Sequence, residues 1–158
     1  MRLVKVKQSF FDLCEENGAE SQLLKTKGGR PGVLMVKLNY KGKDRDFIVP
    51  LRSNIPNKAE EWEFKKLPPN KDTKSGNHHG IHYIKIFPIK KQYIDKYHID
   101  QSSYLQTVKG IIDKSTKEIV DACQNYLKEY ENGNKHRFSP DIDAIIDVLD
   151  GEGVGNNK

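Results

Sequence analysis

The order of apolar and polar residues predicts alternating strands and helices in the first hundred residues. LVKVK near the N-terminus alternates like a half-buried strand, and Ser9 follows as the N-cap of a short helix that stops at Gly18. Two β-type runs, 33–40 (VLMVKLNY) and 46–51 (DFIVPL), predict a hairpin turning at residues 41–43. A third alternating run, GIHYIKIF, predicts a strand over residues 80–87, with a short helix from Ile89 to Tyr97.

Helical periodicity dominates the C-terminal half. Apolar residues recur along one face of a single long helix from Ser102 to Tyr130, namely Leu105, Val108, Ile112, Ile119, Cys123, Tyr126 and Leu127. A last helix is expected to begin at Ser139 and to end before Gly151. We therefore predict one domain over residues 1–150 and a flexible tail over residues 151–158.

Proline and glycine residues mark where the chain leaves these elements. Residues 21–32 are polar and end in GGRPG, which predicts a loop able to approach a phosphate closely. Pro50 has no N–H for a sheet ladder, so it indicates an edge, a bulge or a strand end. The chain should then leave the sheet near Arg52 and Ser53. Residues 54–77, rich in proline and lysine, are predicted to form an excursion with little regular structure.

Charge changes the picture because it is unevenly distributed. The net charge is +5, and residues 21–53 and 65–98 each carry eight Lys or Arg against two acids. Two basic segments that fold together would form a positive groove suited to nucleic acid, whereas the alternative is a set of solvated lysines that maintain solubility. The candidate RNA-binding residues are Lys27, Arg30, Lys37, Lys43, Arg45, Arg52, Lys65, Lys66, Lys71, Lys74 and Lys85.

Other features narrow the location and the chemistry. No apolar stretch approaches the roughly 20 residues that cross a bilayer, and the N-terminus lacks the apolar centre of a signal peptide. We expect a cytoplasmic protein without a membrane partner. Cys14 and Cys123 lie among apolar residues, which favours buried thiols over a disulfide or a catalytic thiol.

Three histidines, His78, His79 and His82, lie close together at a transition from loop to strand. Imidazole transfers protons near neutral pH, so we consider all three as catalytic candidates. On a strand, His78 and His82 would share a face that His79 does not. No cysteine pair or HExxH motif accompanies them, which argues against a metal site. Surface histidines without function are the remaining alternative.

A second constellation joins Arg52 and Ser53 to Arg30. The start of one hairpin strand lies opposite the end of its partner, so these side chains should be neighbours and form a phosphate clamp. RNA cleavage by its own 2′-hydroxyl needs a base, an acid and cations, which Arg, Ser, His and Lys supply together. For an isolated Arg-Ser pair, a turn cap and a surface ion pair are the simpler interpretation.

These segments together resemble the toxins of type III toxin–antitoxin systems, the ToxN/AbiQ/CptN-like endoribonucleases. The resemblance covers about the first ninety residues and is carried by LVKVKQSFFDLCEE, by PGVLMVKLNYKGKDRDFIVPLRS with its Pro-Leu-x-Ser ending, and by GIHYIKIFPI. It implies an α+β fold with a compact, highly bent antiparallel β-sheet core, similar to that of the Kid/MazF toxins, surrounded by helices. With the periodicity above, we expect a long helix in the C-terminal half.

The resemblance also implies an activity and partners. The expected activity is sequence-selective, metal-independent endoribonuclease cleavage of cellular RNA to 2′,3′-cyclic phosphate ends, without a cofactor, in phage resistance by abortive infection. The expected partner is a small, structured, pseudoknot-like antitoxin RNA in the active-site groove of a closed protein–RNA hetero-oligomer. Ser53 matches the family's hydroxyl, and Arg30 stands near its basic residue. The family's Thr-Ser with a nearby Lys is here Arg52-Ser53-Asn54-Ile55, so Arg52 or a histidine would replace that lysine.

Two alternatives remain open at this point. A non-catalytic RNA-binding module would use the same basic face, and a small metal-dependent hydrolase would use the three histidines. Cleavage of RNA in the presence of a chelator separates the leading hypothesis from both.

Overall fold

The computed structural model describes the backbone of residues 1–24, 30–99 and 102–155, and within these ranges it contains eight strands and four α-helices. In chain order they are β1 Arg2–Val6, α1 Gln8–Glu16, β2 Arg30–Tyr40, β3 Lys43–Val49, β4 Leu51–Ile55, β5 Phe64–Leu67, β6 His78–His82, β7 Phe87–Ile89, β8 Ile94–Lys96, α2 Ser103–Lys114, α3 Thr116–Glu131 and α4 Ile142–Gly155. Single turns of 3₁₀ helix cover Glu61–Glu63, Tyr83–Lys85 and Lys91–Tyr93.

The strands form a strongly curled antiparallel half-barrel, which confirms the predicted bent sheet. Five strands are arranged in the order β7-β3-β2-β1-β8, and three more in the order β4-β6-β5. The two sheets are continuous along one ribbon, since β3 and β4 are separated only by Pro50 and pair with β7 and β6 respectively. Pro50 thus lies at a strand end, as its missing N–H predicts.

The predicted β2–β3 hairpin is confirmed. Its ladder runs from Leu34 opposite Val49 to Tyr40 opposite Lys43. Lys41 and Gly42 form the two-residue turn, with φ values of 52° and 79°. Positive φ at both positions matches the twist of antiparallel strands, which is why this turn closes the hairpin without splaying it.

The core lies on both faces of the five-stranded sheet. Leu34, Val36 and Leu38 of β2 point to one face and pack with residues of α2 and α3. Val33 of the same strand belongs to the other face, where it packs with the aromatic side chains of α1. Residues of α4 contribute to both clusters. This alternation along β2 produces the period of two that the sequence displays.

Several local predictions are wrong because tertiary pairing overrides local pattern. The third strand does not run from Gly80 to Phe87, since β6 ends at His82 and a 3₁₀ turn precedes β7. No α-helix covers residues 89–97, where a single 3₁₀ turn is followed by β8, which pairs with β1. The excursion over residues 54–77 contains β5, which pairs with β6.

The long helix of the C-terminal half is α3, but the single helix predicted from Ser102 to Tyr130 is interrupted at Ser115. Ser115 has φ −115° and ψ 17°, and the hydroxyl of Thr116 donates to the carbonyl oxygen of Ile112 at 3.2 Å. Serine and threonine favour such local hydrogen bonds over helix continuation. Ile112 and Ile119 are both buried, so the apolar period carries no sign of the break.

The last helix begins later than predicted. Ser139 is buried and donates to the carbonyl oxygen of Ile84 at 2.9 Å, so it anchors the segment before α4 instead of starting the helix. The backbone of α4 continues to Gly155. Flexibility of residues 151–158 stays a prediction.

Two further expectations concern the cysteines and the membrane. Cys14 and Cys123 are buried and free, as predicted, and burial raises the pKa of each thiol to about 12. No helix in the described part of the chain is both long enough and apolar enough to cross a bilayer.

Gly80 provides a test of the bent ribbon. A Cβ at this position would clash with the carbonyl oxygen of Lys65 and lie 3.0 Å from Cδ2 of Phe64, because β5 and β6 approach closely there. We expect Gly80→Ala to lower the free energy of unfolding by about 1–3 kcal/mol in urea. Gly110→Ala, in helix α2 with nothing within 4 Å, is the matched control and should raise it by about 0.5–1 kcal/mol. An unchanged stability of Gly80→Ala would show that β5 does not pack against β6 in this way.

Candidate active site

Strand β4 separates two cavities. Arg52 lines a cavity of about 430 Å³ together with His82 and Lys85, which we call the basic cavity. Ser53 lines a different cavity of about 740 Å³ together with His79, which we call the serine cavity. Successive side chains of a strand point to opposite faces, so the guanidinium and the hydroxyl of the predicted clamp do not meet. The side chain of Arg30, the third member of that clamp, lies outside the described residues.

The basic cavity is built at the bend of the ribbon. Residues 82–86 lie opposite only Val49 and Pro50, because Ile48 pairs with Phe87 and Leu51 pairs with Ile81. The surplus residues leave the ladder as a 3₁₀ turn. The N–H of His82 donates to the carbonyl oxygen of Pro50 at 2.9 Å and holds the start of that turn. This positions His82 and Lys85 beside Arg52.

The cations Arg52 and Lys85 of the basic cavity differ from His136 in the same lining, which pairs with a carboxylate. Within the described part of the chain, neither Arg52 nor Lys85 forms a salt bridge. The ammonium of Lys85 donates to the carbonyl oxygen of Gln22 at 3.2 Å and to its side-chain oxygen at 3.0 Å, both uncharged acceptors. Burial, aided by the charge of Arg52, lowers the pKa of Lys85 to about 8, and burial also lowers the pKa of Arg52.

His82 lies between these cations with both ring nitrogens unused. It is 2% exposed, and neither Nδ1 nor Nε2 has a hydrogen-bond partner among the described residues. Burial, together with the nearby charges of Arg52 and Lys85, lowers its pKa to about 3. A buried polar group without a partner costs free energy. An anion in this cavity would accept from His82 and would offset both cations.

Two glutamates also line the basic cavity, but their carboxylates bind elsewhere. Glu63 accepts from the N–H of Glu60 at 2.8 Å and from Nε2 of His136 at 3.2 Å. Glu60 accepts from the indole N–H of Trp62. Nδ1 of His136 accepts from the N–H of Phe138, so the ring is held at both nitrogens. The two glutamates therefore line the basic cavity without pairing with Arg52 or Lys85.

The serine cavity is organised by neutral hydrogen bonds. The hydroxyl of Ser53 accepts from the side-chain amide of Asn70 at 2.8 Å. Nδ1 of His79 lies 2.9 Å from the carbonyl oxygen of Pro68 and also contacts the hydroxyl of Tyr104, and burial lowers the pKa of this histidine. The imidazole of His79 therefore ties β6 to the loop after β5 and to α2.

The three histidines diverge. His79 faces the serine cavity and His82 the basic cavity, while His78 stacks on Phe64 with ring centroids 5.2 Å apart. Among the described residues, no group of three or more His, Cys, Asp or Glu side chains is placed to hold a metal ion. This arrangement argues against a hydrolase built on three converging histidines.

The predicted RNA-binding residues fall into three groups. Arg45 pairs with Asp150 at 2.7 Å, Lys65 pairs with Glu118 at 2.9 Å, and Arg52 and Lys85 line the basic cavity. Lys27 and the side chain of Arg30, both in the predicted phosphate loop, lie outside the described residues. Five lysines are exposed, namely Lys37, Lys43, Lys66, Lys71 and Lys74.

Sequence reasoning missed part of the basic cavity. His136, Arg137 and Phe138, from the segment before α4, line it together with Gln22. The sequence KHRF at residues 135–138 combines basic and aromatic residues, which is a weak indication of nucleic-acid contact. Nothing in the pattern indicates that this segment lies beside Arg52.

Comparison with solved structures shows the fold. A structure described as "A processed non-coding RNA regulates a bacterial antiviral system" is similar to this chain with a TM-score of 0.66 and 14% sequence identity, over 93% of this chain and 96% of that one. No protein-family model and no curated protein sequence matches the chain.

The neutral state of His82 leads to a prediction about pH. Because its pKa falls to about 3 on folding, the unfolded chain binds this proton between about pH 6.5 and 3 and the folded chain does not. The part of the free energy of unfolding that depends on a neutral His82 is fully present above about pH 6.5. It decreases as the pH falls, by at most about 1.4 kcal/mol per pH unit. Urea unfolding at pH 7, 6 and 5 should therefore show a shallower loss of stability for His82→Gln than for the wild type.

The control for loss of an imidazole is His98→Gln, at an exposed position. Equal pH slopes for the wild type and His82→Gln would show that His82 protonates in the folded protein.

Proposed function

We propose that this protein is a metal-independent endoribonuclease toxin of an RNA-regulated antiviral toxin–antitoxin system, with its active site in the basic cavity. The observation that carries the proposal is the pair of cations, the half-buried Arg52 and the buried Lys85, beside the imidazole of His82, which has no hydrogen-bond partner among the described residues. The solved structure of similar fold is described by an RNA that regulates an antiviral system, which supports an RNA partner. The Pro-Leu-x-Ser ending at Ser53 adds the resemblance to type III toxins.

The proposed reaction is attack of the RNA 2′-hydroxyl on the adjacent phosphorus. Burial lowers the pKa of Lys85 to about 8, which makes its neutral form accessible, and this form accepts the 2′-hydroxyl proton. The bond from O2′ to phosphorus forms as the bond to O5′ breaks, leaving a 2′,3′-cyclic phosphate. The fixed charge of Arg52 stabilises the negative charge that develops on the phosphate oxygens.

His82 is assigned to the leaving group. Burial first, and then the charges of Arg52 and Lys85, lower its pKa in the free protein; a bound phosphodiester offsets the two charges and pairs with the imidazolium. Substrate therefore favours the imidazolium form, which can protonate the departing O5′. No step requires a metal ion, because the cations of the protein provide the positive charge.

Ser53 receives a different role from that of the cations. Its hydroxyl is held by Asn70 on the opposite face of β4, beside the exposed Lys71. We assign the serine cavity to binding of the RNA chain beyond the scissile phosphate. A structured antitoxin RNA would inhibit by occupying both faces of β4, within the closed protein–RNA complex that the resemblance implies.

The decisive experiment is cleavage of total RNA by purified protein in EDTA. We expect cleavage by the wild type to 2′,3′-cyclic ends, and a loss of about 100-fold or more in Arg52→Ala, which removes the charge beside the phosphate, and in Lys85→Met, which removes the base. Ser53→Ala should lose less, mainly through a higher KM. Circular dichroism and urea unfolding check that each variant folds.

Outcomes that contradict this assignment are distinct. Full cleavage by Lys85→Met together with none by Ser53→Ala would move the active site to the serine cavity. RNA binding without cleavage by the wild type would identify a non-catalytic RNA-binding module, and activity that disappears only with EDTA would identify a metal enzyme.

Salt dependence tests the exposed lysines. Contacts with phosphates release counterions, so the affinity for RNA should fall steeply between low and high salt, and Lys66→Ala should reduce the slope by about one. Lys109→Ala removes a lysine already paired with Asp113 and is the matched control, with an unchanged slope. An affinity that hardly varies with salt would contradict a phosphate-binding groove. Arg30→Ala should lower the slope in the same way.

A further inference from the structure

A third cavity, of about 610 Å³, has walls of aromatic side chains. Trp62, Phe64, Tyr83 and Tyr126 line it, and Ala122 completes the apolar surface. Aromatic walls bind flat, polarisable rings by stacking. We call this cavity the aromatic pocket.

Trp62 is exposed and at the same time held in place. It is 53% exposed, one of three large hydrophobic residues exposed in the described part of the chain. Its indole N–H donates to the carboxylate of Glu60, its ring stacks on Tyr126 at a 20° interplanar angle, and its edge meets His136. An apolar ring that is oriented by three contacts yet open to solvent is a prepared binding surface.

The aromatic pocket shares two walls with the basic cavity. In the segment of residues 60–63, Glu60 and Glu63 line the basic cavity, while Glu61 and Trp62 line the aromatic pocket. In the 3₁₀ turn after β6, Lys85 lines the basic cavity and Tyr83 the aromatic pocket. A phosphate on one side of these walls and a base on the other would belong to the same short stretch of RNA.

The polar groups of the aromatic pocket suit the edge of a base. Asn125 and Glu129 project from the same face of α3, four residues apart, and Asn134 follows that helix. Glu129 accepts from Asn134 at 2.7 Å through one carboxylate oxygen, and the other oxygen has no partner among the described residues. A carboxylate accepts from the exocyclic amino group of adenine or the N–H groups of guanine, and an asparagine amide both donates and accepts.

We infer that the aromatic pocket is a base-recognition subsite that binds a purine of single-stranded RNA, adjacent to the phosphate in the basic cavity. The inference rests on the proposed function for the placement of the phosphate, but binding of the base does not depend on cleavage. The carboxylates in the aromatic pocket repel phosphates, so the pocket favours binding of a base over binding of the RNA backbone. Uracil has no exocyclic amino group and a smaller ring, so it binds less tightly.

The test uses the single tryptophan of the chain as a reporter. 2′-O-methyl tetranucleotides of adenosine and of uridine cannot be cleaved, because the attacking hydroxyl is blocked. Titrated into wild-type protein, the adenosine oligomer should quench the emission of Trp62 saturably and bind about tenfold tighter than the uridine oligomer. Equal affinities for the two oligomers, or no saturable quenching, would overturn the inference.

Variants separate the subsite from the proposed catalytic centre. Asn125→Ala and Glu129→Gln should reduce the preference for adenosine to about twofold, whereas Asp121→Asn, a carboxylate of the same helix outside the pocket, should leave it at tenfold. Arg52→Ala should weaken both oligomers equally and keep the preference, which tests the phosphate site by itself. Loss of preference in Asp121→Asn, or its retention in both pocket variants, would refute the assignment.

Trp62 itself needs a separate readout. With a fluorescently labelled adenosine oligomer, anisotropy should show a loss of about tenfold or more in affinity for Trp62→Leu and near wild-type binding for Trp62→Phe, which keeps an aromatic plane. Equal binding by both variants would show that stacking on residue 62 does not hold the base.

Discussion

The bend at Pro50 places five residues of the chain between β6 and β7, 82–86, opposite only Val49 and Pro50. The continuous β3–β4 strand bends at Pro50, which has no N–H to donate to the sheet. The returning chain from β6 to β7 must therefore accommodate residues 82–86 outside its ladder with β3 and β4. It does so as a 3₁₀ turn whose side chains are divided between two cavities. Lys85 enters one of them and Tyr83 the other. The curvature of the half-barrel and the composition of the candidate site therefore have the same origin.

The charges at this bend differ from those elsewhere on the molecule. Arg45 and Lys65 each pair with a carboxylate, whereas the half-buried Arg52 and the buried Lys85 have no carboxylate partner in the described part of the chain. Desolvated cations without a counter-charge destabilise a fold, and a single acid placed beside them would relieve that cost. Functional sites commonly retain such local conflicts, because the missing charge is the one that the ligand brings.

The pattern of apolar residues predicted those elements that a local turn or a continuous apolar face defines. The β2–β3 hairpin follows from two apolar runs and a turn with glycine, and α3 follows from its apolar stripe. The pattern did not show the interruption at Ser115, because the buried residues on both sides keep the helical period. It also missed β5 and β8, since these short strands exist only through pairing with β6 and β1.

The sequence by itself determined which chemistry the chain carries: basic segments, three neighbouring histidines, and an Arg-Ser pair after a proline that ends a strand. Only the tertiary structure decided how these groups are combined. Alternation along β4 separates Arg52 from Ser53, and alternation along β6 separates His82 from His79. Arg52 acquires its neighbours from residues 85 and 136, more than thirty positions away. Sequence adjacency does not report such contacts, because side-chain direction follows the pleat and the curvature of the sheet, and these depend on strands distant in the chain.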